Sequence, residues 1–113
     1  MENQKKKLDE NKAQAAIQIL QPLKEKLYCG DVSKARRAAH HLSWLQEDGL
    51  EILKSALLSD AQGSTKNAAG YGLRHMHGRM KKPALEVLRQ GLTYPNPMTR
   101  DISKRALEMA ARK

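Results

Sequence analysis

The sequence predicts an all-α chain built as a stack of helical pairs, an α-solenoid, and three observations carry that expectation. First, Leu occurs 15 times and Ala 14 among 113 residues, whereas Val and Ile together reach six and Phe is absent. A pleated sheet needs β-branched and aromatic side chains to fill its faces, and a Leu/Ala/Lys/Glu/Arg-rich chain favours helix. Second, the apolar residues recur at helical spacing: Leu50, Leu53, Leu57 and Leu58, then Leu85, Leu88 and Leu92. Third, the pattern repeats. Leu50-Glu51-Ile52-Leu53-Lys54-Ser55-Ala56-Leu57 returns 35 residues later as Leu85-Glu86-Val87-Leu88-Arg89-Gln90-Gly91-Leu92. A period in this range marks helical pairs that bury their apolar faces only by stacking on one another.

Turn residues divide the chain into helices expected at 8–28, 32–45, 48–58, 64–77, 82–93 and 97–112. Pro22 falls inside the first segment and predicts a kink or a division there. Gly30 suits a positive φ and Asp31 an N-cap for the second helix; Asp48 is the expected N-cap of the third. Gly63 lies in a polar break, Gly78 suits the C′ position of the fourth helix, and Pro83 the first turn of the fifth. Asn96 followed by Pro97 reads as N-cap and first helical residue of the last. The expected core is Leu20, Leu23, Leu27, Leu42, Leu45, Leu50, Leu53, Leu57, Leu73, Met76, Leu85, Leu88, Leu92, Ile102 and Ala106. Trp44, flanked by Leu42 and Leu45, is expected to close the first repeat from inside rather than to serve as an interface anchor.

The first helix of each pair repeats as well. Ala38-Ala39-His40-His41-Leu42 aligns with Ala69-Gly70-Tyr71-Gly72-Leu73 at an offset of 31, and with Ser103-Lys104-Arg105-Ala106-Leu107 a further 34 along. The segment Thr65 to Met76 resembles the first helix of HEAT-like repeats of the kind described in phycobilisome lyases, roughly Val-Arg-x-x-Ala-Ala-x-Ala-Leu-Gly-x-Leu. Lys34 to Leu45 and Thr99 to Ala110 are looser copies, so the resemblance covers residues 32–112. It implies a single domain over 1–113, a right-handed α-α superhelix of about three HEAT-like helical-pair repeats, with a disordered basic N-terminus at 1–7. The motif's Arg is Lys66 and Arg100 in two copies and Ala35 in the first. Gly70 and Gly72 stand where small alanines are expected; two mid-helix glycines cost on the order of 2 kcal/mol, offset if a neighbouring helix approaches closely.

Catalysis finds little support in the residues. His40 and His41 are adjacent and His75 and His77 two apart, which does not give the spacing of three or four that places two metal ligands on one helix face. Pairing across helices would be needed, and packing or exposed histidines are the simpler reading. Cys29 sits at a turn with no identifiable base, and a lone cysteine excludes an internal disulfide and a multi-cysteine zinc site. Gly70-x-Gly72 lacks the Gly-Lys-Ser/Thr sequence and the preceding strand of a phosphate loop. The expectation is therefore a non-enzymatic protein without cofactor or metal. No apolar run approaches the length of a membrane span and no signal-peptide core follows Lys5, Lys6 and Lys7, so a soluble, cytoplasmic protein is expected.

Charge is the strongest functional signal. Net charge is +9, and it is uneven: residues 1–60 carry 10 basic and 9 acidic side chains, residues 61–113 carry 11 and 3. A basic C-terminal patch of Lys66, Arg74, Arg79, Lys81, Lys82, Arg100, Lys104 and Arg105 is expected to attract an acidic partner. Lys24, Lys54 and Arg89 follow the aligned Leu23, Leu53 and Leu88 in successive second helices. The resemblance places second helices on the concave surface, which makes these three a basic ladder for an acidic protein segment. Binding of nucleic-acid backbone without sequence preference is the alternative. Tyr28, Trp44, Tyr71 and Tyr94 are few and scattered for a base-stacking platform.

Overall fold

A computed structural model describes residues 18–112, and all regular structure among them is helical. The helices are α1 over 18–27, α2 Val32–Leu42, α3 Gln46–Leu57, α4 Gly63–Arg74, α5 Lys81–Gly91 and α6 Pro97–Ala111, with a 3₁₀ turn at Gly78–Met80 before α5. The expectations for residues 1–7 and for helix over 8–17 lie outside the described residues.

Local chemistry explains most of the boundaries. Gly30 takes φ +90°, and the Asp31 carboxylate accepts a hydrogen bond from the Lys34 amide at 2.9 Å, capping α2. The Asn96 side-chain oxygen accepts from the amides of Met98 (2.9 Å) and Thr99 (3.4 Å), with Pro97 as the first residue of α6. Two expected caps move. α3 begins at Gln46, two residues before Asp48, so Asp48 lies in its first turn instead of capping it. Gln46 adopts φ +50°, which turns the chain out of α2 within three residues; a Cβ at Gly49 would then sit 1.8 Å from the Leu42 carbonyl oxygen. Gly78 has the positive φ expected of it (+61°), but α4 has already ended at Arg74, so Gly78 opens the 3₁₀ turn instead of terminating the helix.

α4 is the hub. It packs on α2, α3, α5 and α6; α3 and α5 also touch each other. The C-terminal end of α1 is tied to α4, because the Leu27 carbonyl accepts from Thr65 Oγ1 at 2.9 Å. The glycines of α4 sit at close approaches. A Cβ at Gly72 would lie 2.9 Å from the Ala39 carbonyl oxygen and from Leu53, and one at Gly70 would lie 2.7 Å from Ile102. Small size here lets α2, α3 and α6 crowd onto one helix.

The core is Leu23, Leu27, Leu42, Leu53, Leu57, Leu73, Met76, Leu88, Ile102 and the small residues between them, with Leu20, Leu45, Leu50 and Leu85 packed at its edge. Two expected core residues are on the surface. Leu92 is 40% exposed at the C-cap of α5, whereas its counterpart Leu57, the last residue of α3, is fully buried. Trp44 is 64% exposed: it lies in the turn after α2, which directs it along the surface while Leu45 turns partly inward. No helix among the described residues is long and apolar enough to cross a membrane.

Candidate functional site

The basic residues fall into three groups once placed. Lys66 leaves the surface altogether. It is fully buried, and its ammonium donates to the carbonyls of Leu57 (3.2 Å) and Ser59 and to Thr99 Oγ1, while Thr99 Oγ1 donates to Leu57 O at 2.9 Å. Burial pushes its pKa below the ordinary lysine value, with the Asp60 charge acting in the opposite sense. Lys66 therefore belongs to the core and not to a binding patch. The physical reason is the end of α3, where the Leu57 and Ser59 carbonyls offer a cation two acceptors at the negative end of the helix dipole, with Thr99 Oγ1 of α6 as the third.

A second group is occupied by neighbours. Arg79 pairs with Glu47 at 2.7 Å and also donates to Gln46 Oε1; Arg89 pairs with Glu86 at 3.3 Å and Arg105 with Asp101 at 2.5 Å. Arg100 donates to the carbonyls of Tyr94 and Pro95, each at 2.8 Å. The rest, Arg74, Lys81, Lys82 and Lys104, form no ion pair among the described residues. Lys81 and Lys82 are the first two residues of α5, within the helix rather than in the turn before it. Of the expected ladder, Lys24 is exposed on α1, Lys54 half-buried on α3, and Arg89 exposed on α5.

The structure brings together a different set, from α2, α4 and α6. Two adjoining hollows of about 370 and 390 Å³ share Arg36 and Tyr71. The first is bordered by Arg36 from α2, Arg74 from α4 and Arg105 from α6, over an apolar floor that includes Val32, Ile102 and Met109. The second adds Ser33, Arg37 and His40. No carboxylate lines either hollow. The Tyr71 ring holds two cations, with the guanidinium carbon of Arg36 4.6 Å and that of Arg74 5.4 Å from its centroid. Neither of those arginines has a hydrogen-bond or ion-pair partner among the described residues.

An aromatic and imidazole strip continues from this groove along α2. His40 lies 6.2 Å from Tyr71 and 6.0 Å from His75 between ring centroids, and Trp44 lies 6.3 Å from His40 and 6.0 Å from His77. His75 stacks on Tyr71 at 4.2 Å, its Nδ1 2.8 Å from the Tyr71 carbonyl. Trp44 and Tyr71, scattered in sequence, thus share one face. No group of three or more His, Cys, Asp or Glu suited to a metal forms among the described residues, and Cys29 is an exposed free thiol.

Arg36 and Tyr71 were absent from the expected site because charge was read by halves of the chain, and Arg36 lies in the nearly neutral half. The repeat held the missing signal. Applied to the first helices, its offsets place His40, Tyr71 and Arg105 at one aligned position and Arg36 and Asn67 at another, four residues earlier. All five line the two hollows. Comparison of the chain with protein-family models, with curated proteins and with solved structures gives no match.

Proposed function

We propose that the chain is a non-catalytic interaction module, a right-handed α-solenoid of HEAT-like repeats, which holds an acidic protein segment in the groove across α2, α4 and α6. The observation that carries this reading is the lining of the groove: Arg36, Arg37 and Arg74, none of them in an ion pair among the described residues, over an apolar floor, with Arg105 already paired to Asp101 at its edge. Uncompensated guanidiniums favour an anionic ligand, and the floor favours one with apolar side chains between its acidic ones. The contacts of α2 with α4, of α4 with α6 and of α3 with α5 support the repeat reading. The ladder of Lys24, Lys54 and Arg89 is the weaker location, since Lys54 is half-buried and Arg89 is already paired.

The test is a comparison of double charge reversals against a labelled peptide of alternating Glu and Leu. Arg36→Glu with Arg74→Glu is expected to weaken binding about tenfold or more, since charge-assisted hydrogen bonds contribute about 1.5–3 kcal/mol each. Lys54→Glu with Arg89→Glu, and Lys81→Glu with Lys82→Glu, change net charge equally and are expected to weaken it only slightly. Equal losses from all three pairs would mean that total charge, and not this groove, draws the partner. Tighter binding of random duplex DNA than of the peptide, with a steep fall in affinity as salt rises, would favour the nucleic-acid alternative.

A further inference from the structure

The Arg36–Tyr71–Arg74 cluster concentrates more positive charge than one carboxylate neutralises. Two guanidiniums from different helices are held against a single ring, their carbons 4.6 and 5.4 Å from its centroid. Their mutual repulsion has no counter-charge in the lining of either hollow. Hydrogen-bond donors stand at the same place: Ser33 on α2, and Ser64 and Asn67 on α4. A carboxylate brings one charge and two oxygens, enough for a single guanidinium fork. A phosphoryl monoester brings a charge of about −1.5 to −2 and three acceptor oxygens, enough for both forks and a hydroxyl.

Resting on the reading of this groove as the partner site, we propose that Arg36, Tyr71 and Arg74 bind the phosphoryl group of a phosphorylated side chain in the partner segment. A phosphodiester is a poorer match, because it carries one charge per phosphate and binds through a long track of repeated contacts. The apolar floor of Val32, Ile102 and Met109 instead suits the apolar residues flanking a modified side chain. Arginine is the apt residue here: the planar fork grips two phosphate oxygens at once, whereas lysine acts as a point charge.

The experiment measures fluorescence anisotropy with three labelled peptides, Gly-Leu-Ala-X-Ala-Leu-Gly, in which X is phosphoserine, glutamate or serine, at one ionic strength. The expected order is phosphoserine about tenfold tighter than glutamate, and glutamate tighter than serine. The double variant Arg36→Lys with Arg74→Lys keeps the charge and is expected to lose the preference for phosphoserine over glutamate, with unchanged helicity by circular dichroism. Equal affinity for phosphoserine and glutamate, both above serine, would overturn the phosphoryl assignment while leaving the acidic-segment reading intact. Equal affinity for all three, or binding of none, would overturn both. A preference that survives in the double variant would place the phosphoryl group elsewhere, and tighter binding of a twelve-nucleotide oligo-dT, lost in that variant, would replace a phosphoprotein with nucleic acid.

Discussion

Gly91 and Ser103 align with Ala56 and Ala69 in the repeated sequence, and glycine and serine meet where the alignment has two alanines. The exchange is reciprocal in volume. A Cβ at Gly91 would fall 1.9 Å from Ser103 Oγ and 2.9 Å from its Cβ, and that hydroxyl is buried with no hydrogen-bond partner among the described residues. Gly91→Ala is expected to destabilise by about 1–3 kcal/mol through overpacking, despite about 0.5–1 kcal/mol gained in helix propensity. Gly91→Ala combined with Ser103→Ala restores the alanine pair and removes a buried unsatisfied hydroxyl. Urea denaturation is expected to find the double variant more stable than Gly91→Ala alone, the 2.9 Å approach of the two Cβ atoms leaving part of the cost; a double variant as unstable as the single one would show that the two positions are not coupled.

At the scale of elements, Lys66 links three helices: it starts from α4, binds the carbonyl end of α3 and reaches Thr99 on α6. Its pKa is lowered in the folded state, so the unfolded chain binds more protons between the lowered value and the ordinary lysine value of 10.5. Stability contributed at this site therefore rises with pH across that window and levels off above 10.5. Lys66→Met removes the titration along with the hydrogen bonds and is expected to cost about 1–3 kcal/mol at neutral pH. The gap in unfolding free energy between parent and Lys66→Met, measured in urea from pH 8 upward, should widen towards high pH. A gap that narrows would contradict the direction of the shift. Helix existence and most boundaries were legible in the sequence because Gly30, Asp31, Asn96 and Pro97 each act within a few residues of themselves. Burial of Lys66 was not legible: its acceptors lie on α3 and α6, and in sequence it reads as one more surface cation.

For the molecule as a whole, the placement of charge matters more than its amount. The excess in residues 61–113 shrinks as a binding surface once Lys66 is buried and Arg79, Arg89 and Arg105 are paired with Glu47, Glu86 and Asp101. What remains unpaired and clustered, Arg36 and Arg74 on the Tyr71 ring, draws on both halves of the chain. Composition by segment misses such a site; the offset of 31 points to Arg36 and Tyr71, on the contacting helices α2 and α4, but not to Arg74. The exposed Trp44 belongs to the same face and not to the core, since helical spacing to Leu42 and Leu45 does not survive the turn that ends α2. The most direct measurement is amide chemical-shift mapping with the Glu/Leu peptide added to the intact chain. The account predicts shifts concentrated on α2, α4 and α6, centred on Arg36, Tyr71 and Arg74. Shifts centred on Lys24, Lys54 and Arg89 of α1, α3 and α5, or spread evenly over the basic residues, would contradict it.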